Sequence, residues 1–210
     1  MSIRIAILIF DGLTALDAIG PYEVLSHLPD AELRFAAKEP GLKRTDTGGL
    51  GLNADFRISD VPDPDVVVVP GGVGNRPLMQ DPDVLEWLRV AHESTAWTTS
   101  VCTGALVLGA AGLLDGKRAT THWAHRERLR EFGAEPVAER VVEDGKIITG
   151  AGVSAGIDMA LTLASRAAGE NVAQAIQLGI EYDPDPPFDS GSPEKAPAEL
   201  VDLIRAEETR

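Results

Sequence analysis

Four consecutive valines, Val66 to Val69, stopped at once by Pro70, Gly71 and Gly72, constrain this chain more than any other stretch of it. A short run of β-branched residues with no polar face reads as a strand covered on both sides, the condition of a strand inside a parallel sheet. Proline offers the ladder no N–H, and a Gly-Gly pair marks a turn, so the strand ends where the valines end. Such a strand needs partners in the sheet and helices for both of its faces.

The flanking sequence supplies them in alternation. "IRIAILI" (3–9) predicts a buried first strand ending at the turn-like Asp11-Gly12. Leu13, Leu16, Ile19, Val24 and Leu25 recur at helical spacing, with Pro21 expected to kink that helix or to start a second one. A strand is expected over 32–38, an extended excursion over 50–58, and a helix capped by Asp81 or Asp83 that runs to about Ala91. "AWTTSV" (96–101) reads as a strand, "GALVLGAAGLL" (104–114) as a small-residue helix, and "RATTHW" (118–123) as a short strand. A charged, exposed helix over 124–133 ending at Gly133, a hairpin around Asp144-Gly145 and an apolar helix over 154–169 complete the series. The order predicts a flavodoxin-like three-layer αβα sandwich around a mostly parallel sheet.

With 210 residues, 44% of them hydrophobic, one α/β domain is expected over 1–182. Residues 183–210 form a distinct segment: five prolines between 184 and 197, then "AELVDLIRAEE", predict an extended arm and a short helix that wrap either the parent domain or a partner subunit. A net charge of −14 repels phosphate backbones and anionic membranes, so no nucleic-acid partner is expected. "MSIRIAILIFDG" turns charged too early for a signal peptide, and no apolar run approaches the roughly 18 residues of a membrane span, which points to the cytoplasm and a small-molecule partner.

Cys102 is the single cysteine, so no internal disulfide forms. It stands between a predicted strand and a predicted helix, at the carboxyl edge of the sheet, where ligand sites of open α/β sheets lie. A thiol on such a turn projects from the backbone, and the first N–H groups of the following helix, Thr103 included, stabilise its thiolate. The bland reading is a small hydrophobe packed in a core. Gly71 and Gly72 end the valine strand at the same edge; they are either a simple turn or backbone donors that form an oxyanion hole with the Thr103 N–H. The proton manager that a thiol nucleophile needs has few candidates: His122, His125, or Asp17 in the apolar "LTALDAIGP", where a carboxyl either works or caps. His122 and His125 are spaced as two metal ligands on a helix, yet no further His or Cys stands near them, so neither metal nor cofactor is expected.

"VVVVPGG", "TSVCTGALVLGAAGLLDGKRATTHW" and "GAGVSAGIDMALTLA" resemble the ThiJ/PfpI superfamily, with its class I glutamine-amidotransferase-like fold, over essentially the whole chain. "LDAIGPYEVL" and "EYDPDPPFDSGSP" are similar to its isonitrile (isocyanide) hydratase branch, a hydro-lyase activity. The resemblance implies Cys102 as nucleophile, Asp17 as the acid beside it, and the N–H groups of Gly72 and Thr103 at the developing negative charge. It also implies a homodimer. From the residues themselves, the small run "GAGVSAG" at the start of the last apolar helix is expected to line the same pocket with Val153 and Ser154, and His122 and Trp123 are further candidates for its wall. Thr103 stands where protease-like members carry His, and Asp17 where deglycase-like members carry Glu. The only late His-x-Glu spacing of the amidotransferase kind is His125-Arg126-Glu127. Sensing domains of transcription regulators share "SVCTGA" and "ATTHW", so a ligand- or redox-sensing domain without turnover is the alternative expectation.

Overall fold

A computed structural model of the chain describes residues 2–208. Eleven strands form in chain order: β1 (Ile3–Leu8), β2 (Ala31–Ala37), β3 (Gly41–Arg44), β4 (Gly51–Ala54), β5 (Phe56–Arg57), β6 (Val66–Val69), β7 (Trp97–Val101), β8 (Arg118–Ala119), β9 (Glu135–Pro136), β10 (Val141–Asp144) and β11 (Ile147–Gly150). Seven of them make the main sheet in the order β10-β11-β7-β6-β1-β2-β5. The valine strand is its middle member, and none of its four residues is more than 1% exposed. All pairings in this sheet are parallel except β10 against β11, the predicted hairpin.

Helices α1 (Ala15–Leu25), α2 (Asn75–Leu78), α3 (Pro82–Ser94), α4 (Gly104–Ala110), α5 (Ala155–Ala168), α6 (Glu170–Gly179) and α7 (Ala198–Glu208) connect and cover the strands. One layer consists of α5 with α1 and α6 packed against it; the other is built from α3, α4 and the 3-10 segment Trp123–Phe132. The chain runs from β1 outward to β2 and from β6 the opposite way to β7, so the sheet reverses direction between β1 and β6. That switch point opens a crevice at the carboxyl ends of the strands.

Several elements differ from their sequence expectation for identifiable reasons. Pro21 neither breaks nor restarts α1, which continues to Leu25, and Pro21 packs beside Gly156 of α5. The helix expected over 104–114 stops at Ala110, and the chain then turns through Gly112 at φ +79°. Only Arg118 and Ala119 of "RATTHW" pair as a strand, because Thr120 N–H goes to the Thr149 hydroxyl and Thr121 bonds Cys102 instead of a ladder. The charged segment before Gly133 coils as a 3-10 helix, with Leu129 alone buried. Asp81, not Asp83, caps α3 by accepting the N–H groups of Asp83 and Val84. Strand β3 and helix α6 carry no expectation at all. The arm lies against its own domain, where Ser190 to Pro193 and α7 enclose a space with Trp123 and the Arg205 guanidinium sits 5.7 Å from the Trp123 ring.

The start of α4 and the end of β6 meet without clearance: a Cβ on Gly104 would fall 2.0 Å from the Val69 carbonyl oxygen. Backbone cannot yield as a flexible side chain does, so a methyl here forces the helix away from the sheet. Gly104→Ala is expected to lower unfolding free energy by more than about 2 kcal/mol in urea titration, and a loss under about 0.5 kcal/mol would show that α4 steps back freely.

Candidate active site

Three chain segments end at the switch point: the loop after β1 leading into α1, the Pro70-Gly71-Gly72 turn after β6, and Cys102 after β7. Cys102 takes φ +55°, a left-handed conformation that a side chain disfavours by roughly 1–2 kcal/mol. Its neighbours hold it there. Cys102 N–H donates to the carbonyls of Gly150 (3.2 Å) and Ala151 (2.7 Å), and its own carbonyl accepts the Thr121 hydroxyl at 2.6 Å. The thiol residue is 6% exposed, a position between core and crevice.

Asp17 reaches the same point from the first turn of α1 and is fully buried. One carboxyl oxygen accepts Gly71 N–H at 2.8 Å, while the other has no hydrogen-bond partner among the described residues. Burial pushes the Asp17 pKa up from 3.8 to about 7; hydrogen bonds from Gly71 and from the Cys102 side chain oppose the shift, and the Asp46 carboxylate adds to it. A carboxyl poised near neutrality against a thiol can hold a proton or give it up with little cost. Gly71 is required by crowding, since a Cβ would come within 2.6 Å of Thr103 N and 2.8 Å of the Asp17 carboxylate.

The sequence-derived site residues divide under this geometry. Cys102, Thr103, Gly72, His122 and Val153 line one cavity of about 470 Å3. Trp123 and Ser154 line a neighbouring cavity of about 500 Å3, which His122 and Val153 also border. Gly71 turns its N–H to Asp17 instead of to the crevice. Gly72 N–H meets the Thr103 hydroxyl at 3.0 Å, and the Thr103 N–H has no acceptor among the described residues. Thr103 Oγ also accepts from Asn75 Nδ2 at 3.0 Å, which uses both of its lone pairs and leaves its proton for a third direction. Asn75, Arg76 and Met79 join the wall from α2 and just beyond it, and escaped sequence reasoning. Their one signal was position, immediately past the glycine turn of the central strand. His122 and His125 have ring centroids 6.0 Å apart, but no group of three metal-ligating side chains forms among the described residues.

The sequence pattern of the DJ-1/PfpI family matches residues 3–166, and the chain belongs to that family. Within it, the chain is 49% identical over 205 residues to isonitrile hydratase of Pseudomonas putida, covering 98% of this chain and 90% of that protein. The crystal structure of a ThiJ/PfpI family protein from Pseudomonas syringae superposes with a TM-score of 0.95 at 37% identity, over 98% of this chain and 86% of that one. A more distant likeness, 34% over 139 residues, is to the HTH-type transcriptional regulator CdhR of Pseudomonas aeruginosa, of which the match covers 40%. No described helix is long and apolar enough to cross a membrane.

The left-handed elbow makes a stability prediction independent of chemistry. Glycine adopts φ +55° without penalty, so Cys102→Gly is expected to be more stable than Cys102→Ala by about 1 kcal/mol. Thermal unfolding of the two variants in parallel measures this; equal stability would mean that the elbow carries no strain.

Proposed function

We propose that this protein is an isonitrile hydratase, adding water to an isocyanide to give an N-substituted formamide with Cys102 as nucleophile and Asp17 as proton carrier. The observation that carries the reading is the contact of a buried carboxyl, pushed up to about pKa 7, with the side chain of an elbow cysteine. The 49% identity to a hydratase over 98% of the chain supports it. A terminal isonitrile carbon accepts a nucleophile and needs a proton at the same atom, and this pair supplies both with no cofactor.

The two groups share one proton. With the proton on Asp17 and the thiolate on Cys102, sulfur bonds to the isonitrile carbon while Asp17 protonates that carbon, giving a thioimidate and an aspartate. Asp17 then takes a proton from water as the oxygen attacks the same carbon, and the other water proton ends on nitrogen. Collapse of the tetrahedral species breaks the C–S bond, releases the formamide, and restores the thiolate and the protonated carboxyl. The Thr103 N–H, and Gly72 N–H once released from the Thr103 hydroxyl, are the donors assigned to the alkoxide. The same reading takes residues 1–182 as the catalytic unit of a cytoplasmic homodimer, with the arm from 183 onward contributing to the contact between subunits.

Mass-spectrometric detection of formamide from a panel of aliphatic and aromatic isonitriles tests the proposal. Cys102→Ala is expected to abolish turnover and Asp17→Asn to lower it by at least about 100-fold. Full activity in Cys102→Ala would sink the mechanism, and no formamide from any isonitrile with the intact protein would leave the sensing domain as the surviving reading.

The Asp17 shift also fixes a pH dependence. Between 3.8 and about 7 the folded chain holds a proton that the unfolded chain has lost, so stability falls as pH rises through that window. Asp17→Asn removes the cost, and at pH 8 it is expected to be more stable than the native chain by up to about 4 kcal/mol while being the less active of the two. Urea midpoints at pH 5 and pH 8 check this, and a variant less stable than native at pH 8 would contradict it.

A further inference from the structure

The cavity over Cys102 carries more charge than water addition to an isonitrile consumes. Beside the thiol it is lined by two guanidinium groups, Arg76 and Arg128, and two imidazoles, His122 and His125. Five guanidinium groups elsewhere on this acidic chain, those of Arg4, Arg57, Arg118, Arg140 and Arg166, each lie within 3.2 Å of a carboxylate, while Arg34 has one only at 3.7 Å and Arg44 has none among the described residues. Arg76 has no hydrogen bond or ion pair among the described residues, and Arg128 has only Glu131 at 3.8 Å. Two carboxylates also border the cavity. Asp46 is occupied, accepting the Thr14 hydroxyl at 2.7 Å and Thr47 N–H at 2.8 Å, while Glu207 comes from the last turns of α7.

A net charge of −14 makes most of this surface repel anions, whereas in the reactive cavity the two guanidinium groups offset Asp46 and Glu207, and Arg76 has no carboxylate paired to it among the described residues. We infer that the substituent on the isonitrile carries a carboxylate, received by Arg76 and Arg128 while the terminal carbon reaches Cys102. The planar guanidinium fork matches a carboxylate, and the two acidic residues bordering the cavity favour a monoanion over a more highly charged phosphate. Van der Waals surface from Met79, Leu106 and Val153 is available to the carbon chain between the two ends. The inference rests on the hydratase reading for its reactive end and on the arginines for its other end.

The test compares isocyanoacetate and 4-isocyanobenzoate with their methyl esters. The acids are expected to exceed the esters in kcat/KM by about fivefold or more at low salt, with the margin shrinking as salt screens the arginines. In Arg76→Gln/Arg128→Gln that ratio should collapse toward one. Esters hydrated as well as the acids, or an acid preference that survives in the double variant, would overturn the assignment. Calorimetry with Cys102→Ala separates this from the chemistry, using N-formylglycine and its methyl ester as probes. Tighter binding of the acid that depends on the two arginines upholds the anion site even if no isonitrile is turned over, in which case the hydratase reading alone falls. Equal binding of acid and ester removes the anion site whatever the turnover.

Discussion

The Val69 carbonyl oxygen occupies the space where residue 104 would place a methyl group, and the arrangement of the crevice follows from that contact. It brings α4 onto the end of the central strand, which sets Thr103 beside the Gly71-Gly72 turn and leaves Cys102 to absorb the change of direction at φ +55°. The strain at Cys102 is therefore imposed from outside. Gly150, Ala151 and Thr121 hold its backbone from the β11 side, so relaxing the elbow would require breaking three hydrogen bonds at once.

The parts of this fold that the sequence announces are those governed by local chemistry. Four valines and a Pro-Gly-Gly stop define the central strand because nothing but double-sided burial suits them. The thiol at the strand-to-helix boundary and the aspartate in an apolar helix stand out in the sequence because each contradicts its surroundings, and the structure brings the two side chains together. Within α1, however, spacing put Leu16 on the buried face, and that residue is 39% exposed while Asp17 is fully buried. The helix turns its carboxyl inward because Gly71 N–H and the Cys102 side chain lie there, neighbours 54 or more residues away that no local pattern reveals. Asn75 and Arg76 were missed on similar grounds: the loop "GGVGNRP" has no periodicity, and its residues gain meaning only once the glycine turn lies over the thiol. The threonines of "RATTHW" looked like strand because threonine favours strands, yet their polar groups are spent on tertiary bonds to Thr149 and Cys102.

A buried carboxyl of this kind sets stability against reactivity. Were Asp17 better satisfied, with both oxygens accepting backbone N–H groups, its pKa would fall and it would hold no proton at neutral pH. The oxygen without a partner keeps the acid form competitive, and the surrounding core supplies the folding energy that tolerates it. Thr103 stands next to the thiol residue in the chain, and Gly72 and Asn75 both donate to its hydroxyl oxygen, which fixes the orientation of that group.

The bonds that define the site join parts of the chain far apart in sequence: 54 residues separate Asp17 from Gly71, 31 separate Gly72 from Thr103, and 19 separate Cys102 from Thr121. Contacts of such long range form only after the strands that carry them have paired. Nothing local to the segment around residue 102 brings the Asp17 carboxyl, or the backbone partners Gly150, Ala151 and Thr121, to the thiol. The meeting of carboxyl and sulfur is thus a property of the completed fold and of no single segment of the chain.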